Sequence, residues 1–228
     1  MTRRALVVRP EPGCTATAAR IDARDGWHAV KLPLTERRAT GAPRPEGSLT
    51  AIALTSAAAV PHVPPDLRSL PVHAIGEATA RAARAAGMEV ATVGTGDGTQ
   101  FGEGLARAGI AGPILYPCAE DRRPGFENAL VAAGVRVDPW PVYRTVSLPD
   151  GGTRLAAAGR KIDAVLLYAP SGARALGSAA REAKMTLDRV RMLCLSAAIA
   201  QALPTRLGGR RIWPDEPRED ALLDLLDR

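Results

Sequence analysis

Short apolar runs alternate with alanine-rich segments through most of the chain, and this alternation is the strongest constraint on its fold. The apolar runs have the length and the Gly and Pro flanks of buried strands, and helix-forming segments separate them. The pattern predicts an α/β fold in which parallel sheets carry helices on both faces. The predicted strands are 5–9, 28–34, 49–56, 71–76, 88–94, 112–117, 135–143, 162–168 and 190–196, and the predicted helices include 15–25, 77–86 and 124–133.

The C-terminal segment 215–228 predicts one more helix. Asp215 is a candidate N-cap, and Pro217 falls in the first turn. Leu222, Leu225 and Leu226 make an apolar stripe along this helix.

The pattern also repeats loosely. One stretch of the chain runs from the first strand through a helix ending "ARDGWHAV" to "LPL". A later stretch repeats this order, from the strand "PILYP" through a helix ending "LVAAGVRV" to "WPVY". "AIALTSAAAV" corresponds to "AVLLYAPSGARAL", and "AIGEATARAARAAG" corresponds to "LCLSAAIAQALP". Two similar α/β units are the simplest account. Segments 35–48 and 145–153, rich in Pro, Gly and charge, are predicted to connect them.

The composition is that of an ordinary globular protein, with 46% apolar and 24% charged residues. No apolar run approaches the roughly 18 residues that suggest a membrane span. The first residues, "MTRRALVVRPEPG", predict a buried strand and not a signal peptide, so we expect a cytoplasmic protein.

The net charge of +6 comes from arginines dispersed along the chain. Nucleic-acid-binding proteins concentrate such charge and add aromatic residues, which are only 4% here. We therefore expect no nucleic-acid partner. A polyanionic small molecule and a solvated basic surface both fit the dispersed charge. Arg122 and Arg123 equally fit contact with ligand carboxylates and a solvated helix start.

The sequence shows no pattern for metal or nucleophile chemistry. Cys14, Cys118 and Cys194 are far apart without CxxC spacing, and the three histidines make no HExxH pair. We expect buried free thiols, no metal and no cofactor. The glycine-rich stretch 93–104 lacks a GxGxxG register and a following Gly-Lys-Ser/Thr, so it predicts a loop that opens a helix.

Small or hydroxyl-bearing residues stand where four predicted strands lead into helices. Ligands of parallel sheets lie at the carboxyl ends of strands, where the first turn of a helix offers unpaired N–H groups and partial positive charge. Gly76 allows close approach to the backbone, and Thr79 adds a hydroxyl. We call each of these strand-to-helix junctions a step. Together the four steps predict a site for a ligand with several carboxylates, although the same residue types also cap helices. The candidate binding residues are Ser56, Ala57, Gly76, Glu77, Ala78, Thr79, Pro170, Ser171, Gly172, Ser196 and Ala197.

Six motifs, in order and over nearly the whole chain, resemble the uroporphyrinogen-III synthase family: "VVRPEPG", "LTSAAAV", "AIGEATARAARAAG", "LYPCAEDRRPGFENALVAAGVRV", "VYRT" and "APSGARAL". The resemblance implies two similar α/β lobes joined by a two-stranded connector. One lobe would combine 1–34 with 148–228, the other would be 38–143, and 35–37 and 144–147 would be hinge connectors.

The resemblance also implies the reaction. The family takes hydroxymethylbilane, a linear tetrapyrrole with eight carboxylates, removes water and closes the ring with the terminal pyrrole inverted. Uncatalysed closure gives the uninverted isomer, so the enzyme must act by holding geometry, for which a cleft closing between two lobes would suit. No cofactor is implied. We expect a monomer, with at most a transient contact to hydroxymethylbilane synthase.

The family's residue roles carry over to a few positions. Tyr143 in "PVYRT" matches a tyrosine near the cleft and is a candidate acid for departure of the hydroxyl. The alternative is a half-buried strand tyrosine that bonds the backbone. Thr79 matches the threonine of a "GxATA" step that would bind a substrate carboxylate, and Ser56 and Ser171 also match family positions.

The chain departs from the family in two places. Ala169 replaces the usual first serine of "SPSG", and "CLSAAIAQAL" has Ser196, Ala198 and Ile199 where the family often has a glycine and threonines. These changes put side-chain roles there in doubt, although backbone N–H groups remain. A non-catalytic two-lobed binding protein for a polyanionic tetrapyrrole, or a paralogue that has lost activity, is the alternative function.

Overall fold

The computed structural model describes residues 2–159 and 161–228, and the chain divides into two compact units. Lobe 1 contains the residues up to Arg37 together with Thr145–Arg228, and lobe 2 is Arg38–Arg144. The hinge role of 35–37 and 144–147 stays a prediction. Within the described ranges, the helices are all too short or too polar to cross a membrane.

Strands and helices alternate through both lobes. The strands are β1 Arg3–Val8, β2 Trp27–Lys31, β3 Thr35–Ala39, β4 Ala51–Leu54, β5 Val72–Ile75, β6 Val90–Gly94, β7 Ile114–Ala119, β8 Val137–Ser147, β9 Ala164–Leu167, β10 Arg191–Cys194 and β11 Arg210–Ile212. The helices are α1 Gly13–Asp22, α2 Gly76–Ala85, α3 Gly98–Arg107, α4 Gly125–Ala132, α5 Gly151–Ala158, α6 Pro170–Glu182, α7 Ala197–Gln201 and α8 Glu219–Asp224. Short 3₁₀ helices are Ala57–His62, Pro65–Leu67, Thr205–Leu207 and Leu225–Asp227.

The sheet of lobe 1 has the order β11-β10-β9-β1-β2, and its strand pairs are parallel. Successive residues of a strand point to opposite faces, and here both faces are covered. Leu6 and Val8 pack with residues of α5, α6 and α7, whereas Ala5 and Val7 pack with residues of α1 and α8. Burial on both sides explains why these strands are continuous apolar runs in the sequence.

The sheet of lobe 2 has the order β3-β8-β7-β4-β5-β6, and the pairs from β8 to β6 are parallel. Ile52 and Leu54 of β4 pack with α2 and the 3₁₀ helix Ala57–His62, whereas Ala51 and Ala53 pack with α3 and α4. The predicted α/β class, parallel sheets with helices on both faces in two lobes, is therefore confirmed.

The two sheets share one topology. The sequence repeat pairs β9 with β4, β10 with β5, β1 with β7 and β2 with β8, and under this pairing β11-β10-β9-β1-β2 has the same spatial order as β6-β5-β4-β7-β8. The direction of strand succession reverses between β9 and β1 in lobe 1, and between β4 and β7 in lobe 2. Such topological switch points are where open parallel sheets bind ligands.

The glycine-rich stretch 93–104, predicted as a loop that opens a helix, holds the end of β6, a three-residue loop and the first two turns of α3. Asp97 starts α3 with a capping box, in which its carboxylate and the Gln100 side chain each bind the other's backbone N–H. A Cβ on Gly102 would lie 2.8 Å from the carbonyl oxygen of Phe126. This glycine therefore permits close packing of α3 on α4, and the tertiary contact outweighs its low helix propensity.

The last helix begins later than predicted. Asp215 is not its N-cap, because α8 begins at Glu219 and Arg218 is the capping residue. Proline disfavours the helical conformation in the residue before it, so Glu216 does not enter a helix ahead of Pro217. The sequence patterns also do not predict β3, α5 and β11, which are short and rich in charged residues or glycine.

Candidate functional site

In lobe 2, two of the candidate steps lie side by side. β4 and β5 are neighbouring parallel strands, so the residues that follow them, Ser56-Ala57 and Gly76–Thr79, lie at one edge of the sheet. The 3₁₀ helix Ala57–His62 packs directly against α2. The structure thus brings together the predicted binding residues of this lobe.

The start of α2 is suited to an anion through its backbone. Gly76, the first residue of α2, has a φ of +72°, which L side chains rarely adopt. Ile75 supplies no side-chain cap, so the N–H groups of Glu77 and Ala78 remain available to a ligand. The Glu77 carboxylate is turned to its own helix, where it lies 3.0 Å from an Arg84 nitrogen. Its backbone, and not its side chain, is the candidate donor.

The two hydroxyl residues of lobe 2 differ in their surroundings. Ser56 Oγ accepts a hydrogen bond of 3.2 Å from the backbone N–H of Ala58, so Ser56 caps its 3₁₀ helix. Thr79 is 6% exposed, and its hydroxyl has no hydrogen-bond partner in the described part of the chain. Ser56 therefore has a structural role already, whereas the Thr79 hydroxyl is free for a ligand.

Lobe 1 also places its two candidate steps next to each other. β9 and β10 are neighbouring parallel strands, and α6 and α7, which begin at Pro170 and Ala197, pack together. Neither Ala169 nor Ser196, the capping residues, makes a side-chain cap bond. The first turns of α6 and α7 are therefore both uncapped by a side chain. Gly172 has a packing role, because a Cβ there would lie 3.2 Å from the carbonyl oxygen of Val8.

Tyr143 lies in β8 and is 7% exposed. Its ring stacks on His62, with centroids 6.1 Å apart and planes 17° apart. The backbone carbonyl of Tyr143 accepts a 2.8 Å bond from Glu120, but its hydroxyl has no hydrogen-bond partner among residues 2–159 and 161–228. The hydroxyl is therefore free to act on a ligand. Sequence reasoning missed His62, because no pattern links two residues so far apart in the chain.

Two histidines of lobe 2 are held neutral by their surroundings. Burial lowers the pKa of His62 and of His73 below their usual value of 6.5. His73 is 3% exposed on β5, and its Nδ1 atom has no partner among the described residues. A proton on either ring would therefore be poorly solvated.

Acidification is expected to destabilise the protein through these histidines. Well above pH 6.5 both rings are neutral in the folded and in the unfolded chain. As the pH falls below 6.5, the unfolded chain takes up protons before the folded chain does. Stability is therefore lost as the pH falls through the lower folded pKa values. Urea unfolding at pH 7.5 and at pH 5 measures the loss. It should be smaller in His73→Leu and unchanged in His28→Asn, since the His28 side chain is 61% exposed. An equal loss in all three proteins would contradict this origin.

The three cysteines are free and buried, as expected. Burial raises the pKa of Cys14 and of Cys118 to about 11 and that of Cys194 to about 12. Because the thiolate is the nucleophile, none of these thiols is suited to attack near neutral pH. No group of three or more His, Cys, Asp or Glu residues suited to a metal ion occurs within the described ranges.

The structure decides part of the open question on Arg122. Its Nε and Nη2 atoms both donate to Glu127 Oε1, at 3.0 and 2.7 Å. The two side chains are largely buried, so this ion pair occupies the edge of the guanidinium that would grip a carboxylate. Arg123 is exposed, and its role stays open.

A polar cluster at the switch point of lobe 1 was not predicted. Glu219 Oε1 accepts hydrogen bonds from Thr17 Oγ1 at 2.6 Å, Tyr168 Oη at 2.8 Å and Arg9 Nη1 at 3.1 Å. We call Arg9, Thr17, Tyr168 and Glu219 the Arg9 cluster. Burial raises the pKa of Glu219, but the bonds from Thr17 and Tyr168 and the arginine charges outweigh it and leave that pKa below its usual value. Because Arg9 and Tyr168 directly follow adjacent parallel strands, their proximity could have been predicted from the sequence. The contribution of Glu219 could not, because this residue comes from the distant C-terminal helix.

The uroporphyrinogen-III synthase HemD family model, HEM4, matches residues 16–224 of the chain. Among solved structures, a uroporphyrinogen-III synthetase from Helicobacter pylori is 16% identical, with a TM-score of 0.63, over 99% of this chain and 98% of that chain. A mutant uroporphyrinogen III synthase from the extremely thermophilic bacterium Thermus thermophilus is 19% identical, with a TM-score of 0.56, over 99% and 96%. At these identities the two structures show a shared fold. No curated protein matches the sequence significantly.

Proposed function

We propose residue roles for this chain on one premise: it belongs to the uroporphyrinogen-III synthase family, whose model spans residues 16–224. Its activity is accordingly that of a uroporphyrinogen-III synthase, a hydro-lyase of tetrapyrrole biosynthesis. The family match is the observation that carries this function. The family implies hydroxymethylbilane as the substrate.

The reaction needs positioning more than reactive side chains. The terminal hydroxyl leaves as water and gives an electrophilic azafulvene; attack through a spiro intermediate then inverts the last ring before closure, with net loss of one water. Without an enzyme the same azafulvene closes to the uninverted isomer. The protein must therefore stabilise the geometry of the inverted closure, and binding groups on a rigid scaffold can do this.

We assign carboxylate binding to the paired strand-to-helix steps. In each lobe one long helix, α2 or α6, begins without a side-chain cap next to a second step on the neighbouring strand. Their first-turn N–H groups and the positive ends of their dipoles favour negative charge. In this proposal Gly76–Thr79 with Ser56-Ala57 bind substrate carboxylates in lobe 2, and Pro170–Gly172 with Ser196-Ala197 bind substrate carboxylates in lobe 1.

We assign Tyr143 the role of acid for departure of the hydroxyl. Hydroxide is a poor leaving group, and a phenol that donates its proton turns it into water. The support is the free hydroxyl of Tyr143 and the fixed stacking of its ring on His62.

The product isomer tests this function. Purified protein is mixed with freshly generated hydroxymethylbilane, and the products are oxidised and separated as porphyrin isomers. We expect uroporphyrin III to dominate with protein and the uninverted isomer to dominate in a protein-free control. Binding of the bilane with formation of the uninverted isomer alone would establish the binding-protein alternative and reject the enzyme.

The partners remain proposals as well. The substrate dehydrates and closes spontaneously, so rapid transfer from hydroxymethylbilane synthase would limit the loss to the uninverted isomer. We therefore propose a transient contact between the two enzymes, with this chain acting as a monomer.

A further inference from the structure

The Arg9 cluster holds a guanidinium by one edge and leaves the other edge free. Arg9 Nη1 donates to Thr17 Oγ1 and to Glu219 Oε1, both at 3.1 Å. The guanidinium carbon lies 4.0 Å from the centroid of the Tyr168 ring, so the ring supports one face of the group. Arg9 Nε and Nη2 have no hydrogen-bond partner in the part of the chain that the structure describes. Two parallel N–H donors are the geometry that grips a carboxylate.

A glycine lets the start of α1 lie close to this edge of the guanidinium. A Cβ on Gly13 would lie 2.5 Å from Arg9 Nε and 2.8 Å from Nη2. Any side chain at position 13 would therefore displace the guanidinium from the position in which Thr17 and Glu219 hold it. The Arg9 side chain keeps 23% of its surface exposed, which leaves it accessible although anchored.

The charge of Arg9 is not simply cancelled by Glu219. Glu219 Oε1 accepts bonds from three side chains, and its Oε2 lies 3.2 Å from a nitrogen of Arg20, which also contacts the exposed Asp220. The carboxylate is thus shared between two arginines and saturated with donors. A ligand carboxylate at Arg9 Nε and Nη2 would therefore face positive charge, because the negative charge of Glu219 is offset by two arginines.

The position of Arg9 in the fold is that of a ligand-binding residue. Val8 pairs with Leu167 at the ends of β1 and β9, so Arg9 and Tyr168 are the next residues on either side of the lobe 1 switch point. Extending the β4–β7 register in the same way places Thr55 and Cys118 at the lobe 2 switch point. Of these two described switch points, the one in lobe 1 carries the arginine.

The described residues at the switch point of lobe 2 offer no pair of free N–H donors like Nε and Nη2 of Arg9. Cys118 is 2% exposed, and the Thr55 hydroxyl is bonded to the Tyr116 hydroxyl at 2.9 Å. Arg122, which follows β7, has its Nε and Nη2 atoms engaged by Glu127. The two lobes therefore share a topology but differ in the chemistry at this point.

We propose that Arg9 binds one carboxylate of the substrate through Nε and Nη2, and that Glu219 is the positioning residue that holds it there. The inference rests on the proposed function, because it takes hydroxymethylbilane as the ligand. It adds a charged side chain of lobe 1 to a site otherwise assigned to backbone N–H groups. It also offsets the hydroxyl donors missing around Ser196.

Steady-state kinetics with hydroxymethylbilane tests Arg9. Loss of one charge-assisted bidentate bond in Arg9→Met should raise KM on the order of 10- to 100-fold, with a smaller change in kcat. Arg9→Lys keeps the charge but lacks the fork, so its KM should rise less. Arg181→Met, which removes an exposed charge from the last turn of α6 in the same lobe, should leave KM unchanged.

A double-mutant cycle tests Glu219. Glu219→Gln keeps an oxygen acceptor but removes the charge that anchors Arg9, so KM should rise several-fold alone and little further in the Arg9→Met background. A purely structural role would lower Tm but would leave the KM effects of the two substitutions additive.

The outcomes separate this inference from the function on which it rests. A wild-type protein that forms no uroporphyrinogen III rejects the function before any variant is compared. An active wild-type protein with unchanged KM in folded Arg9→Met rejects the inference alone. If Arg9→Met does not fold, Arg9→Lys decides, and a wild-type KM in that variant also rejects the inference.

Discussion

Tyr143→Phe is expected to lower kcat for uroporphyrinogen III formation by about 100-fold or more, which is the usual contribution of a general acid. Product binding should change by less than about twofold, because the phenyl ring keeps its place against His62. Single-turnover kinetics gives the rate of ring closure, and titration with uroporphyrinogen III gives the affinity for product. A loss in rate with retained affinity would locate the hydroxyl in the chemical step.

The physical reason lies in the surroundings of the ring. Tyr143 is 7% exposed and fixed by stacking, and burial keeps its neighbour His62 neutral by lowering the pKa of that imidazole. The phenol therefore has no adjacent imidazolium to compete as proton donor. Because no described side chain accepts a bond from its hydroxyl, the proton is available to the leaving group.

Tyr116→Phe is the matched control within the same lobe. Tyr116 is also buried, but its hydroxyl is bonded to Thr55 at 2.9 Å, and burial raises its pKa to about 12. Its loss should cost about 1 kcal/mol of stability and leave kcat unchanged. Unchanged turnover in Tyr143→Phe would remove Tyr143 from the mechanism without affecting family membership. Equal losses in both variants would indicate a general disturbance of lobe 2.

The sequence predicts the central strands well because they are buried on both faces. A strand covered by helices on both sides must be apolar at nearly every position, and β1, β9 and β10 show this as uninterrupted runs. The same logic fails for β3 and β11, which are edge strands containing "TERRA" and "RRI". Edge strands have one unpaired side and tolerate charge, so their pattern is weak.

The candidate site was predictable only where it depends on position along a strand. The steps at Gly76 and Pro170 follow from the rule that ligands lie at the carboxyl ends of parallel strands. The partners of Arg9 and Tyr143 do not follow from any local rule. Glu219 meets Arg9 because the C-terminal helix packs on β1 and α1, and His62 meets Tyr143 because the 3₁₀ helix after β4 folds over the sheet. Such pairs are set by tertiary packing.

Phe126→Ala is expected to lower the free energy of unfolding by about 3–5 kcal/mol, the range for truncating a buried phenylalanine. Phe126 is 1% exposed on α4, and its ring lies 5.4 Å from that of Phe101 and 4.7 Å from that of Tyr116. Its removal thus takes an aromatic contact from two other rings at once. The closely packed backbones of α3 and α4 limit how far the cavity can collapse, because Gly102 already lies against the Phe126 carbonyl.

Urea unfolding followed by circular dichroism measures this loss, and the surface of the same helix supplies the control. Val131 on α4 is 63% exposed, so Val131→Ala should change stability by less than about 0.5 kcal/mol. If the two lobes unfold in separate transitions, the shift in Phe126→Ala should fall on the one that Tyr116→Phe also shifts, since both residues are in lobe 2. A loss below about 1 kcal/mol would contradict the packing of α3 and α4 that turns a glycine-rich stretch into a helix.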